Sequence, residues 1–400
     1  MKLLFAHDNI FLKYDNTYFD GYGCFSSDVL KRYTSLFETV NFVSRQKKVS
    51  SKSDNFTLAS TERVEFINID NFKTLKTFHK ILEAKKVIDD EVKKVDCVIA
   101  RIPSSIGYLA VNAAVKNNIP YALEVVGCPW DSLWNYGSIE GKLLAPYEFL
   151  KMRKIVKKAP FALYVTEKFL QKRYPTSGVT TNCSNVEITR SKNAVLESRQ
   201  KKNRLINKDK VIKVGMIGSL GSKFKGFDLA IEAIKKISKT YENIELHILG
   251  SGEKVLWEKY AQELGIEDKV FFAGTLPSGK AVLEWLDEIN IYIQPSKQEG
   301  LPRALIEAMS RGCPAVGSNT AGIPELLDEK FIHKKGDSND LANKIEKLIS
   351  SDELKTQQSE RNFHFASNYF KDVLDKRRMN HYMDFKDYAK NYMFSEGIES

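Results

Sequence analysis

Short apolar runs alternate with longer stretches of helical spacing along most of this chain. In the first half the runs are Leu3 to Ala6, Val40 to Val43, Val64 to Ile67, Cys97 to Ala100, Tyr121 to Val126 and Phe161 to Val165. Continuous apolar runs predict strands buried on both faces, and their alternation with helices predicts a parallel sheet covered on each side. The pattern restarts at Val211 to Ile217 and continues through Ile244 to Leu249, Val270 to Phe272, Ile289 to Ile293 and Ala315 to Val316. Leu229 to Ile237 carries apolar residues at helical spacing between two of these runs. A charged stretch rich in Lys, Asn and Ser separates the halves and predicts a helix-poor linker. The expected organisation is an α/β domain over 1–190, a linker over 191–210, a second α/β domain over 211–365 and a helical tail over 366–400. Two doubly wound, Rossmann-like domains place ligands at the carboxyl ends of their strands, so facing domains share a cleft.

Composition narrows the class. A chain of 400 residues with 42% hydrophobic content supports two ordinary cores. Five cysteines, Cys24, Cys97, Cys128, Cys183 and Cys313, stand singly, so neither a zinc site nor a disulfide framework is expected, and a reducing cytoplasm is the simplest compartment. Met1 to Ala6 is too short for a signal segment before His7 and Asp8, and no apolar run approaches the roughly 18 residues needed to span a bilayer. The net charge of +10 and pI near 9.0 suit an anionic partner: nucleic acid, a membrane surface or a phosphorylated substrate. A nucleic-acid binder would interleave basic and aromatic residues on one face, and no such pattern stands out. Phe149 to Lys158 concentrates cations on a helical pattern, which suits either anionic lipid or a solvated helix packing Leu150, Ile155 and Val156 on a core.

The candidate chemistry lies between Pro295 and Leu327. Glu299 and Glu307 flank the start of a predicted helix, with Pro302 at its first position and Gly312 and Pro314 as its stop. Leu301 offers no side-chain cap, so the first amides and the positive end of the helix dipole are left for an anion, and Gly300 permits close approach. Two carboxylates beside such a phosphate site read sugar hydroxyls, as a nucleotide sugar requires. Upstream, Gly218-Ser-Leu-Gly-Ser-Lys-Phe-Lys-Gly226 joins a strand to a helix and adds Lys225 to the same phosphate. The loop after Val126 holds Trp130, Asp131 and Trp134. The rings suit either stacking on an acceptor sugar or packing as a lid, and Asp131 suits acceptance of a hydroxyl proton.

The block from strand through Glu299, helix, Gly312-Cys-Pro314 and Gly322-Ile-Pro-Glu325 resembles the nucleotide-sugar site of the family 4 glycosyltransferases of GT-B fold. The resemblance is strong over Val211 to Leu327 and thinner before it. It implies a retaining, metal-independent enzyme with a nucleoside-diphosphate sugar as co-substrate and no other cofactor; no Asp-x-Asp occurs in the chain. Gly300, Leu301, Pro302 and Arg303 with Lys225 would hold the diphosphate, Glu307 the ribose and Glu299 the transferred sugar, with Glu299 and Lys225 closest to the chemistry. It implies that Gly252, Gly274 and Thr275 line the nucleobase pocket. The segment Asp20-Gly21-Tyr22-Gly23-Cys24-Phe25 matches loosely a glycine-rich loop near the transferred sugar. Two positions depart from the pattern. Ser219 stands where an arginine is usual, leaving Lys223 as the substitute, and Val126 stands where a histidine is usual, leaving His7 as the nearest alternative. The last helix is expected to cross back onto the first domain. The setting implied is bacterial surface polysaccharide (capsule, O-antigen or exopolysaccharide) made at the inner face of a membrane, on a lipid-linked or oligosaccharide acceptor. A GT-B sugar-nucleotide epimerase is the competing class.

Overall fold

The computed structural model describes residues 1–395 except 22, 23, 54, 55, 75, 137 and 207–209, so the Tyr22 and Gly23 expectations lie outside the described residues. The first strand runs from Lys2 to Tyr14, well past the apolar run at its start. His7, Asp8 and Asn9 interrupt the apolar pattern, and there the pairing with Thr39–Lys48 shifts register before resuming at Ile10. The distal half also pairs antiparallel with Thr17–Asp20, through a turn where Asp15 adopts a φ of 51°. The first sheet runs in the order Thr57–Leu58, Thr17–Asp20, Lys2–Tyr14, Cys97–Ile102, Tyr121–Val125, Phe161–Tyr164, Val179–Asn182, with Thr39–Lys48 also paired to the first strand and Val64–Asn68 paired to Thr39–Lys48. The second sheet is parallel throughout, ordered Val270–Gly274, Ile244–Leu249, Ile212–Ile217, Ile291–Gln294, Ala315–Ser318, Ile332–His333.

Helix Phe227–Ile237 shows how sequence becomes packing. Phe227, Leu229, Ala230, Ile231, Ala233, Ile234 and Ile237 are all buried against the second sheet, each large side chain contributing about 1.5–3 kcal/mol. The stretch expected to be a helix-poor linker is instead helical over Asn193–Asn203. Its stability comes from polar anchoring, invisible to an apolar pattern. Buried Arg199 donates to the carbonyls of Arg311, Leu286 and Ile289, and Asn203 donates to Ser359 Oγ at 2.7 Å.

The chain crosses between the halves twice. The second crossing, near Tyr369 and Phe370, leads into the helix Lys371–Ser395, which lies back on the first sheet. Arg378 donates to the Ser184 carbonyl at 3.0 Å, and Phe385 packs on Phe161 at 5.5 Å between ring centres. The crossings are bonded side by side, Ile188 N–H to the Tyr369 carbonyl and Lys371 N–H to the Ile188 carbonyl, both at 3.1 Å. Among the described residues, no helix is long and apolar enough to cross a membrane.

Candidate active site

The fully buried strand Ile291–Gln294 ends in a run of polar side chains that fixes Glu299. Tyr292 donates its hydroxyl to Gln294 Oε1 at 2.8 Å. Gln294 Nε2 then donates to Glu299 Oε1 at 3.0 Å and Ser296 Oγ to the same oxygen at 2.8 Å. Lys225 Nζ completes the set at 2.6 Å from that oxygen. One carboxylate oxygen thus gathers two neutral donors and one cation, a charge-assisted cluster that holds Lys225 and Glu299 together across the two loops. Those loops interlock through the backbone as well. Lys297 N–H donates to the Phe224 carbonyl at 2.7 Å, and the Lys297 ammonium pairs with Asp228. Gly226 makes this possible: its φ is 78°, and a Cβ there would lie 2.3 Å from the Pro295 carbonyl oxygen.

The helix Arg303–Ser310 starts one residue later than expected, with Pro302 as its N-cap and no side chain capping its amides. The uncapped, electropositive end therefore stands as the sequence suggested. Glu307 lies one turn in, mostly buried, with Arg303 Nη1 at 3.7 Å from its Oε1. Burial raises its pKa above the usual glutamate value, and Arg303 offsets part of that rise. The helix Phe227–Ile237 has no side-chain cap either, so the interlocked loops present two free helix starts.

The glycine turns gather on the same side. Leu220 N–H donates to the Ser251 carbonyl at 2.7 Å, Gly250 N–H to the Gly274 carbonyl at 2.7 Å, and Gly252 packs over Gly221 and Leu220. Thr275, Ser219 and Lys223 are exposed near these turns, and Lys223 makes no ion pair among the described residues. Leu301 serves packing: its side chain lies 2.9 Å from where a Cβ on Gly322 would stand. Trp257, which the apolar pattern alone did not single out, fixes the Gly218–Gly226 loop by donating its indole N–H to the Leu220 carbonyl at 2.9 Å.

Opposite stands the first domain. The Val126 carbonyl oxygen lies 3.8 Å from the position a Cβ on Gly300 would take, so Val126 faces the uncapped helix start directly. Gly21 abuts Leu12, and Asp20 beside it accepts the Phe25 N–H at 2.7 Å. Burial raises the Cys24 thiol pKa and Asp20 adds to it, while Arg101 and, from the other domain, Arg303 pull it back. His7 is a half-buried, neutral group: desolvation, then the neighbouring Arg101 charge, lower its pKa to about 4. Trp130 and Trp134 stack on each other at 5.4 Å, and Phe149 closes on Trp130 edge-on at 5.9 Å. Asp131 pairs with Arg173 at 3.0 Å, and both line a cavity of about 170 Å³ together with Glu299. The structure therefore brings Asp131 from one domain and Glu299 from the other to a single space.

Two groups of residues escaped the sequence reading. Arg101 Nε donates to Glu124 Oε2 at 2.6 Å, and the hydroxyls of Tyr33 and Tyr382 donate to Glu124 Oε1. Burial alone would raise the Glu124 pKa, but Arg101 and the two phenols hold it at about 2. Across the cleft, the Glu325 carboxylate accepts the N–H groups of Glu167 at 2.6 Å, Lys168 at 2.9 Å and Phe169, clasping one domain to the other. Its only signal was Gly-Ile-Pro-Glu, which says nothing of its distant partners.

A family model described as glycosyl transferases group 1 matches residues 197–365, the part that holds these loops. Protein CapJ of Staphylococcus aureus is 32% identical over 404 residues, covering 100% of this chain and 99% of CapJ. The amylovoran biosynthesis glycosyltransferase AmsK of Erwinia amylovora is 35% identical over 128 residues, 30% of this chain and 31% of AmsK. The crystal structure of Anabaena HepE in complex with UDP matches with a TM-score of 0.64 at 13% identity, over 96% of this chain and 100% of HepE. At that identity the likeness is one of fold, the GT-B arrangement of two Rossmann-like domains.

Proposed function

The chain belongs to the glycosyl transferases group 1 family, and from that premise we propose that it moves a sugar from a nucleoside-diphosphate sugar to an acceptor hydroxyl during assembly of a bacterial surface polysaccharide. The observation that carries this reading is the Lys225–Glu299 pair at 2.6 Å beside two uncapped helix starts. Cleavage of the bond to the anomeric carbon leaves negative charge on the diphosphate and positive character on the sugar. Preorganised amides and a fixed ammonium stabilise that leaving group at no reorganisation cost. Glu307 accepts hydrogen bonds from the ribose, and Glu299, already held on one oxygen, has its other for a hydroxyl of the transferred sugar. Asp131 and Arg173 sit where an acceptor entering from the first domain would meet the donor. In this reading the protein's own cations balance the diphosphate without a metal, and the sugar keeps its anomeric configuration, as in the family 4 enzymes that the motif resembles. The polysaccharide setting draws support from AmsK, a biosynthetic glycosyltransferase by name.

Titration calorimetry of Lys225→Ala and Glu307→Ala against a panel of nucleoside diphosphates and their sugars tests the assignment. Each variant is expected to lose at least tenfold in affinity with circular dichroism unchanged. Affinities equal to the parent protein's would overturn the site. Product analysis with donor alone separates transfer from epimerisation, since only transfer needs the acceptor.

A further inference from the structure

The helix Ile139–Lys157 is apolar on two opposite faces. Gly141, Ala145, Met152 and Val156 form the buried one. Ile139, Leu143, Tyr147 and Leu150 form the other, and they are 75%, 75%, 60% and 63% exposed. At 3.6 residues per turn these four fall within about 80° of arc, directly opposite the buried face. Leu150 therefore does not pack on the core, as one sequence reading allowed. The exposed stripe continues as lysine. Lys154 and Lys157 extend it, Lys142 and Arg153 flank one side, and Lys158 the other. None of the four lysines Lys142, Lys154, Lys157 and Lys158 has an ion-pair partner among the described residues. A shallow groove of about 560 Å³ beside the stripe, lined by Val111, Val115, Tyr147 and Leu150, extends the apolar surface onto the neighbouring helix.

We infer that this helix docks the first domain on a bilayer bearing anionic headgroups, with Ile139, Leu143, Tyr147 and Leu150 entering the interface and the lysines lying against the phosphates. Charge complementarity selects the occupant. A stripe of large apolar residues flanked by unpaired cations matches an anionic interface, where each side chain is used. A second copy of the same helix packed in parallel would set those cations against each other. The docked face also leads to the cleft. Phe149, on the same helix, packs on Trp130, and Asp131 follows Trp130 in the chain and lines the cavity shared with Glu299. An acceptor carried in the bilayer would therefore reach the site from the docked side. That consequence rests on the transferase reading, whereas the docking itself does not.

Co-sedimentation of the full chain with vesicles of phosphatidylcholine containing phosphatidylglycerol, against phosphatidylcholine alone and without nucleotide sugar, reads the docking separately from donor binding. The parent protein is expected to partition onto the anionic vesicles. Leu143→Asp/Leu150→Asp and, independently, Lys154→Glu/Lys157→Glu are each expected to weaken partitioning at least tenfold. Val255→Asp, at an exposed apolar site of the other domain, is expected to leave it unchanged. The inference is overturned if the parent protein stays in solution, if both double variants partition like it, or if sedimentation velocity shows a dimer that Leu143→Asp/Leu150→Asp dissociates while vesicle binding persists.

Discussion

Glu307 carries a conflict between burial and charge that sets its pH behaviour. Its carboxyl titrates above the ordinary value of 4.5 because burial penalises the anion. A raised acid pKa means that the folded state carries a cost at neutral pH, and protonation on acidification relieves that cost. Glu307→Gln is therefore expected to melt no lower than the parent protein at pH 7 while binding a nucleoside diphosphate sugar more weakly. Donor affinity in the parent is expected to fall on acidification at a higher pH than a free glutamate would give, and Glu307→Gln to lack that limb; calorimetry between pH 4.5 and 8 measures both. At this scale the sequence supplied residue types and order but not partners. Lys225 and Glu299 lie 74 positions apart, and nothing in either local pattern announces one oxygen shared among Lys225, Gln294 and Ser296. Glu325 was visible as a motif residue, yet its partners are backbone amides that any sequence would have offered.

The loop-and-helix unit around Gly226 shows how much an element depends on one backbone conformation. Alanine there meets both an unfavourable φ of 78° and the Pro295 carbonyl oxygen 2.3 Å from its Cβ. Gly226→Ala is expected to cost about 2–5 kcal/mol of stability in urea unfolding, as strain and overpacking add. It should also weaken donor binding more than a comparable destabilisation elsewhere, because it separates the Lys225 loop from the Glu299 loop. Elements that bury continuous apolar runs were legible in the sequence, and Ile244–Leu249 has the bounds the run predicts. Elements held by polar contacts were not. The distal half of Lys2–Tyr14 lay beyond an interruption of polar residues, and Asn193–Asn203 is anchored by an arginine and an asparagine instead of an apolar face. The strand Thr57–Leu58 is too short to leave any period.

Across the whole molecule, the Glu325 carboxylate bonds one domain to the other across the cleft. Three amides donate to one carboxylate at the start of the short helix Phe169–Arg173, and charge-assisted bonds of this kind contribute about 1.5–3 kcal/mol each. Glu325→Ala is expected to raise the radius of gyration in small-angle scattering in the absence of ligand, with Glu329→Ala, an exposed neighbour, as the control. Equal scattering curves for the two variants would show that the clasp does not govern opening. The facing of two α/β domains was itself legible, since alternation of strands and helices repeats after 210. What joins them was not, because contacts between distant surfaces leave no local periodicity.

The paired crossings at Ile188 and Phe370 have a mechanical consequence. One connecting strand behaves as a swivel and permits rotation about its own length, whereas two strands bonded side by side bend readily in one plane and resist torsion. Any opening of the two domains is therefore expected to follow a swing in one plane, which would bring Asp131 and Glu299 back to one spacing on closure. Removing the helix Lys371–Ser395 would free one strand and turn that swing into a twist.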